Sequence, residues 1–348
     1  MRIATFNLLH GQPLSGGRPL PFPDPDGEGG AGAPLAEAVR ALDADVLALQ
    51  EVDRFQARSG LVDQPAVAAE ALGAADWRFA AALHGEPAPV SGWVLDPDHA
   101  DLRVYGPGPG LAPGLEPGLG LGEDPAETPV PSYGTALLTR LPVRHWRARR
   151  FAPAPFGLPL RVAGRAGLTP VPDEPRAALA AVLEGAEGPF TVVAAHLSFV
   201  PGWNMGQLAA IRRWIADLPA PYLLLGDLNL VGAVPRTVLG GAEVVDSVRR
   251  RGRQKPGASA RRRARLRTRR AEAAAGAPFP LRSRGVNPRT LLRGWRDLAR
   301  LPTYPAHRPA VQFDHVLAVG VPRDAVRAAR TPPTPISDHR PLVVELDL

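Results

Sequence analysis

Residues 222–230 read YLLLGDLNL. A run of Leu suited to burial reaches Gly226 and then carries Asp227 and Asn229. A carboxylate and an amide beside an apolar strand cost free energy unless something satisfies them. Two readings follow. Asp-x-Asn after Gly is ordinary turn chemistry, or the two side chains are aimed at a ligand from the end of a buried strand.

The same pattern recurs along the chain. Short apolar runs at 2–9 (RIATFNLL), 45–52 (DVLALQEV), 190–198 (FTVVAAHLS), 312–319 (QFDHVLAV) and 341–348 (PLVVELDL) read as strands covered on both faces, and 134–143 and 176–185 add two more. Asn7, Gln50, Glu51, His196 and Asp227 fall at the ends of such runs, Asp314 falls inside one, and Asp338 and His339 precede the last. Taken singly, each has a plain reading: Asn7 a turn, Glu51 a loop acid, His196 a bonded core histidine, Ser-Asp-His a bend. Asp314 is harder to dismiss, because a carboxylate inside a strand needs a cation or a donor. Together they describe one polar rim of a sheet, where α/β proteins bind ligands.

Helical spacing lies between the strands. Leu35, Ala38, Val39 and Leu42 follow i, i+3, i+4, i+7 behind Pro34, and Leu208, Ile211, Ile215 and Leu218 share one face. Strands interleaved with helices, plus neighbouring strands lacking a helix between them, predict an α/β protein with mixed sheets. Residues 11–33, 106–131 and 249–290 read as loop insertions in a single catalytic domain spanning 1–348. The second holds 14 Gly or Pro in 26 positions, which excludes a helix or a central strand.

Bulk properties narrow the chemistry. The 348 residues contain no Cys, so disulfides, thiol nucleophiles and Cys-held zinc are excluded. The eight His show no His-Glu-x-x-His spacing, so any metal is expected on oxygen ligands, favouring magnesium or manganese. No apolar run approaches the roughly 20 residues of a bilayer span, and the start lacks signal-peptide character, so a soluble cytoplasmic protein is expected. The net charge of +7 is local. Segment 249–270 holds 12 Arg and Lys and no acid, which leaves 29 basic against 34 acidic residues elsewhere. It reads either as an unspecific arm for DNA or RNA, since it lacks aromatics for base stacking, or as a solvated loop in an Arg-biased sequence.

The ordered motifs ATFNLLHG (4–11), LALQEVD (47–53), YGTALLTRLPV (133–143), EPRAAL (174–179), VVAAHLS (192–198), LLLGDLN (223–229), FDHVLAVG (313–320) and ISDHRPLVVEL (336–346) resemble the endonuclease/exonuclease/phosphatase superfamily, which includes pancreatic-type deoxyribonucleases. The resemblance implies a four-layer α/β sandwich: two packed mixed β-sheets flanked by helices. It implies a divalent-metal-dependent phosphoesterase using magnesium or manganese, with Glu51, Asn7 and Asp338 at the metal. It implies catalytic roles for His339, Asp227, Asn229, His196 and Asp314, with Arg176, His196 and Asn229 on the substrate phosphate. Two departures stand out. Leu9 replaces the carboxylate some nucleases carry there, which puts a second metal position in doubt. No Tyr-x-Glu precedes the 134–143 strand, so the acid that often supports His196 is missing or displaced.

Two proton schemes remain open: Asp227 as base with His339 kept protonated by Asp314, or His339 as base with Asp314 setting its tautomer. A nuclease or general phosphodiesterase is the expected activity. An enzyme acting on inositol-phosphate or phospholipid head groups, and a non-catalytic nucleic-acid binder, are the rivals.

Overall fold

The computed structural model describes residues 1–24, 30–88, 92–107, 120–121, 130–160, 167–241 and 294–348. In chain order the principal elements are β1 (Arg2–Asn7), α1 (Ala33–Leu42), β2 (Val46–Arg54), α2 (Gln64–Leu72), β3 (Asp76–Pro87), β4 (Arg103–Tyr105), β5 (Ser132–Thr139), β6 (Val143–Phe151), β7 (Arg176–Gly185), β8 (Gly188–His196), α3 (Trp203–Trp214), β9 (Tyr222–Asp227), β10 (Asp314–Val319), β11 (Val326–Arg330) and β12 (Leu342–Leu346).

They form two mixed sheets. One runs β11-β12-β1-β2-β5-β3-β4, and the other runs β6-β7-β8-β9-β10. The β1–β2 and β8–β9 pairs are parallel, and their neighbours are antiparallel. Three apolar layers hold the stack. Ile3, Val46, Leu137 and Leu342 of the first sheet meet Trp146, Leu179, Val192, Leu223 and Val316 of the second. Phe6, Leu47, Leu49 and Leu138 pack outward against Leu35, Val39 and Leu42 of α1 and Leu72 of α2. Leu224, Val193 and Leu317 pack outward against Leu208 and Ile211 of α3. The architecture is the expected four-layer sandwich.

The period-2 alternation of the strands positions the polar rim. Leu223 and Leu225 face the other sheet while Leu224 faces α3. Asp227 therefore belongs to the inter-sheet face, two residues beyond Leu225. Asn7 relates in the same way to Ile3 through Thr5, and Asp314 precedes Val316 and Ala318 on that face. Gly226 is required where the strand turns toward its end: its φ is +152°, and a Cβ would run into the Ala195 carbonyl oxygen.

Several boundaries differ from the expected ones. The 134–143 strand is β5 at 132–139, followed by the separate edge strand β6. Residues 76–87 and 64–72, which carry no clear period, are β3 and α2. The DWRFAAALHG run in β3 is rich in Ala, a helix former, and is held extended by pairing with β5 and β4. Residues 11–33 are more than a loop: they carry a short hairpin (Leu14–Ser15 with Arg18–Pro19), a bridge from Pro13 to Ile336, and the start of α1. Segment 249–290 and most of 106–131 lie outside the described residues. No helix among the described residues is long and apolar enough to cross a membrane.

Candidate active site

The inter-sheet faces of the central strands end at one mouth. Pairing sets His196 beside Asp227, and Asp227 beside Asp314, in a row across β8, β9 and β10. Asn7 closes the first sheet onto this row: its Nδ2 donates to Glu51 Oε1 at 2.9 Å and to Asp227 Oδ2 at 3.0 Å. Its Oδ1 accepts from the Leu9 amide at 3.0 Å, so the amide oxygen would face a cation only after a half-turn. Glu51 sits at a bulge where the β2–β5 register shifts between Leu49 and Val52, with φ of +52°. A bulge re-aims a side chain at a local strain of order 1 kcal/mol. Here it points the carboxylate to the mouth.

The second sheet and the last loop supply the remaining groups. The Asn229 amide N–H donates to Asp227 Oδ1 at 2.9 Å, and Asn229 Nδ2 donates to the Leu197 carbonyl at 3.0 Å and lies 3.4 Å from His196 Nε2. Asn229 has φ of +49°, a conformation Asn tolerates better than most residues. His196 Nε2 is 3.7 Å from Asp227 Oδ2 and 4.0 Å from Glu51 Oε1. Arg176 Nη1 lies 2.8 Å and 3.1 Å from the two ring nitrogens of His196, so the guanidinium rests against the imidazole. His339 Nδ1 is 2.8 Å from Asp314 Oδ2, and its Nε2 is 4.0 Å from Asp227 Oδ2. Ser337 Oγ donates to the Asn7 carbonyl at 2.6 Å and accepts from the His339 amide at 3.0 Å, pinning the last loop to β1.

The electrostatics assign protons. Burial alone lowers the His339 pKa, but the charge and hydrogen bond of Asp314, with Asp227 and Asp338 adding, outweigh it and carry the value up to about 10. His339 is therefore a cation at neutral pH. His196 goes well below its usual value, through burial first and then the positive charges of Arg176 and His339. Burial raises Glu51 to about 7, opposed by the Asn7 bond and reinforced by Asp338 and Glu174. Asp227 is also raised, by burial against the pull of His339. Asp338 is half-buried and raised mainly by desolvation.

A mouth with three carboxylates pushed upward is short of positive charge. One ligand atom each from Glu51, His196 and Asp227 lies within 4.8 Å of the others, as do those of Asp227, Asp314 and His339. The first group, with Asp338 acting on Glu51, fits a hard divalent cation. The second already holds its own cation in His339.

A sequence profile of the Endonuclease/Exonuclease/phosphatase family matches residues 4–339. The chain belongs to the endonuclease/exonuclease/phosphatase family. Members of this family hydrolyse phosphoester bonds. No curated protein matches the chain. Similar solved structures include an endonuclease/exonuclease/phosphatase from Beutenbergia cavernae, at 19% identity and TM-score 0.49, covering 100% of this chain and 71% of that one. A mannosyl-6-phosphatase from Bacteroides thetaiotaomicron has 12% identity and TM-score 0.44, with 100% of each chain covered. A 3'-5' exonuclease from Neisseria meningitidis has 14% identity and TM-score 0.43, again with 100% of each covered.

Every residue singled out in the sequence for this family site lies at the mouth: Asn7, Glu51, Arg176, His196, Asp227, Asn229, Asp314, Asp338 and His339. What sequence reasoning missed is the acid on the Arg176 side. Glu174 Oε1 pairs with Arg176 at 3.0 Å, and its Oε2 accepts from Trp93 Nε1 at 2.6 Å. It stands two residues before Arg176 in the quoted EPRAAL motif, and that Glu-x-Arg spacing was the available signal. Ser337 was likewise visible only as part of Ser-Asp-His.

Proposed function

We propose that the protein is a divalent-metal-dependent phosphodiesterase, most directly a nuclease or general phosphodiesterase. The observation that carries this reading is the His339–Asp227 arrangement: a histidine held protonated by Asp314 faces, across 4.0 Å, a carboxylate raised by burial. An acid kept charged and a base kept available, side by side, suit hydrolysis of a poor electrophile.

Glu51, with Asp338 and Asn7 alongside, would hold magnesium or manganese, which when bound supplies Lewis-acid stabilisation of phosphate charge. The chain's own groups do the rest. Asp227 accepts the proton of the attacking water at Oδ2. His339 Nε2–H, Asn229 Nδ2 and neutral His196 present donors fixed before reaction toward the nonbridging oxygens, the condition under which such donors are effective. Arg176 adds a guanidinium, and Glu174 holds it in place through a pairing that leaves the buried Arg176 Nε without a hydrogen-bond partner among the described residues.

The test is a magnesium-dependent panel of plasmid, single-stranded and abasic DNA, RNA, inositol phosphates and an aryl phosphodiester. Hydrolysis of at least one substrate is expected, abolished by Glu51→Ala and by His339→Ala. Turnover that survives both substitutions overturns the reading, and the preferred substrate names the class. We also infer that segment 249–270 serves as a DNA- or RNA-binding arm. Its deletion should weaken nucleic-acid affinity and flatten the dependence on salt, and an unchanged slope counts against the arm.

A further inference from the structure

A second guanidinium lies beside the mouth, and none of the chemistry above uses it. Arg58 follows β2 in the loop that leads to α2. Its Nε and Nη2 donate to the two oxygens of Asp53 at 2.8 and 2.7 Å, and Ser59 Oγ donates to the same carboxylate at 3.0 Å. The Asp53 side chain is 0% exposed, whereas that of Arg58 is 28% exposed. The guanidinium carbon stands 5.0 Å from the ring centroid of Trp93 and 5.5 Å from that of Tyr133.

Three features separate this arrangement from a plain structural ion pair. First, the fork is spent on one side only: Nε and Nη2 hold Asp53, and Nη1, with two N–H donors, makes no hydrogen bond to the described residues. Second, Asp53 and the aromatic pair leave the side chain little rotamer freedom, so a ligand meeting it meets a preorganised donor. Third, it is connected to the Arg176 side of the mouth. Trp93 packs against Tyr133 with ring centroids 4.9 Å apart and the planes tilted by 41°, and it donates through Nε1 to Glu174, the partner of Arg176. Arg58 is thus linked to Arg176 through Trp93 and Glu174, and the charge of Glu51 acts on both guanidinium groups.

We propose that Arg58, through Nη1, binds a second anionic group of the substrate, so that the preferred substrate carries another phosphate next to the scissile one. The proposal rests on the phosphoesterase reading for the identity of the first phosphate. Arg58 is a specificity residue in this scheme. It touches neither the reacting phosphorus nor the water, and a substrate with a single phosphate leaves it idle. Neighbouring phosphates occur on nucleotides and on inositol rings, and the donor geometry is the same for both.

Calorimetric titration in magnesium-free buffer tests this without turnover. The ligands are adenosine 5′-monophosphate against adenosine 3′,5′-bisphosphate, and inositol 4-phosphate against inositol 4,5-bisphosphate. The wild-type protein should bind one bisphosphate about tenfold or more tightly than its monophosphate, as a charge-assisted contact allows, and the pair that shows the preference identifies the source. Arg58→Gln, which retains an amide toward Asp53, should erase that preference while leaving monophosphate affinity within about twofold. Arg58→Lys should restore part of it. The proposal is overturned if the wild-type protein shows no preference in either pair. It is also overturned if Arg58→Gln keeps the preference, or weakens mono- and bisphosphate equally, as loss of a structural clamp would. An Arg58-dependent preference in a protein that hydrolyses nothing in the panel would instead sink the catalytic reading and leave the anion contact standing.

Discussion

Two histidine–aspartate pairs are built around β10, from consecutive residues, on opposite faces of one sheet. Asp314 points between the sheets and holds His339 Nδ1 at 2.8 Å. His315 points toward α3 and is held at Nδ1 by Asp297 at 2.9 Å. Both rings are buried, and both are pushed toward the charged form, against the effect of burial, by their acid. The difference is the other ring nitrogen. His315 Nε2 is committed to the Leu230 carbonyl at 2.8 Å. His339 Nε2 makes no hydrogen bond to the described residues and faces Asp227 across 4.0 Å. A buried His–Asp pair is thus no signature of catalysis. An uncommitted nitrogen at the mouth of the sandwich is what distinguishes the two.

Substituting each histidine should separate these roles. His339→Ala should lower kcat/KM by about 10³-fold per folded molecule, as loss of a positioned proton donor does. His315→Ala leaves Asp297 buried and unpaired, and should destabilise the fold by about 3–5 kcal/mol in urea titration. Its rate per folded molecule should stay within about twofold of wild type. A tenfold loss of rate in folded His315→Ala protein, or full activity in His339→Ala, would break the distinction.

Much of this contrast was legible from residue order. The spacing Leu223, Leu225, Asp227 places the carboxylate on the inter-sheet face by strand period alone, and the ends of β1, β8 and β10 follow the same rule. That Asp314 and His315 diverge is also period-2 arithmetic. What the chain order hid was pairing at long range. Asp297 as the partner of His315, Trp93 as the donor to Glu174, and Trp93 over Arg58 are contacts set by the packing of loops and edges, for which no local pattern exists. The Ala-rich β3 and the weakly amphipathic α2 were hidden for a related reason: tertiary pairing overrode a local preference.

The pH dependence should sharpen the comparison. His339 has a folded pKa raised from about 6.5 to about 10. Its stabilising contribution is fully present below the unfolded value and is lost as pH rises through the folded one. His315, also raised, follows the same sign. Urea midpoints of the wild-type protein should therefore fall between about pH 6.5 and 10, and His315→Gln and Asp314→Asn should each remove part of that fall. Only Asp314→Asn should also move the alkaline limb of kcat/KM to lower pH, because only His339 must stay charged for turnover. An alkaline limb unmoved in Asp314→Asn would favour His339 as the base.

The smallest effect concerns the loop that delivers His339. His315 sits inside a strand and needs no further support, whereas His339 follows Ser337, whose φ is +69° and whose hydroxyl bridges the Asn7 carbonyl and the His339 amide. Ser337→Ala removes both bonds and leaves two buried backbone groups without those partners, at a cost of about 1–3 kcal/mol in stability. The catalytic effect should be about tenfold in kcat, with KM for a simple diester little changed, since a misplaced donor impairs the transition state more than ground-state binding. A rise in KM at constant kcat would instead make Ser337 part of the substrate surface, and the last loop would then bind substrate rather than aim His339.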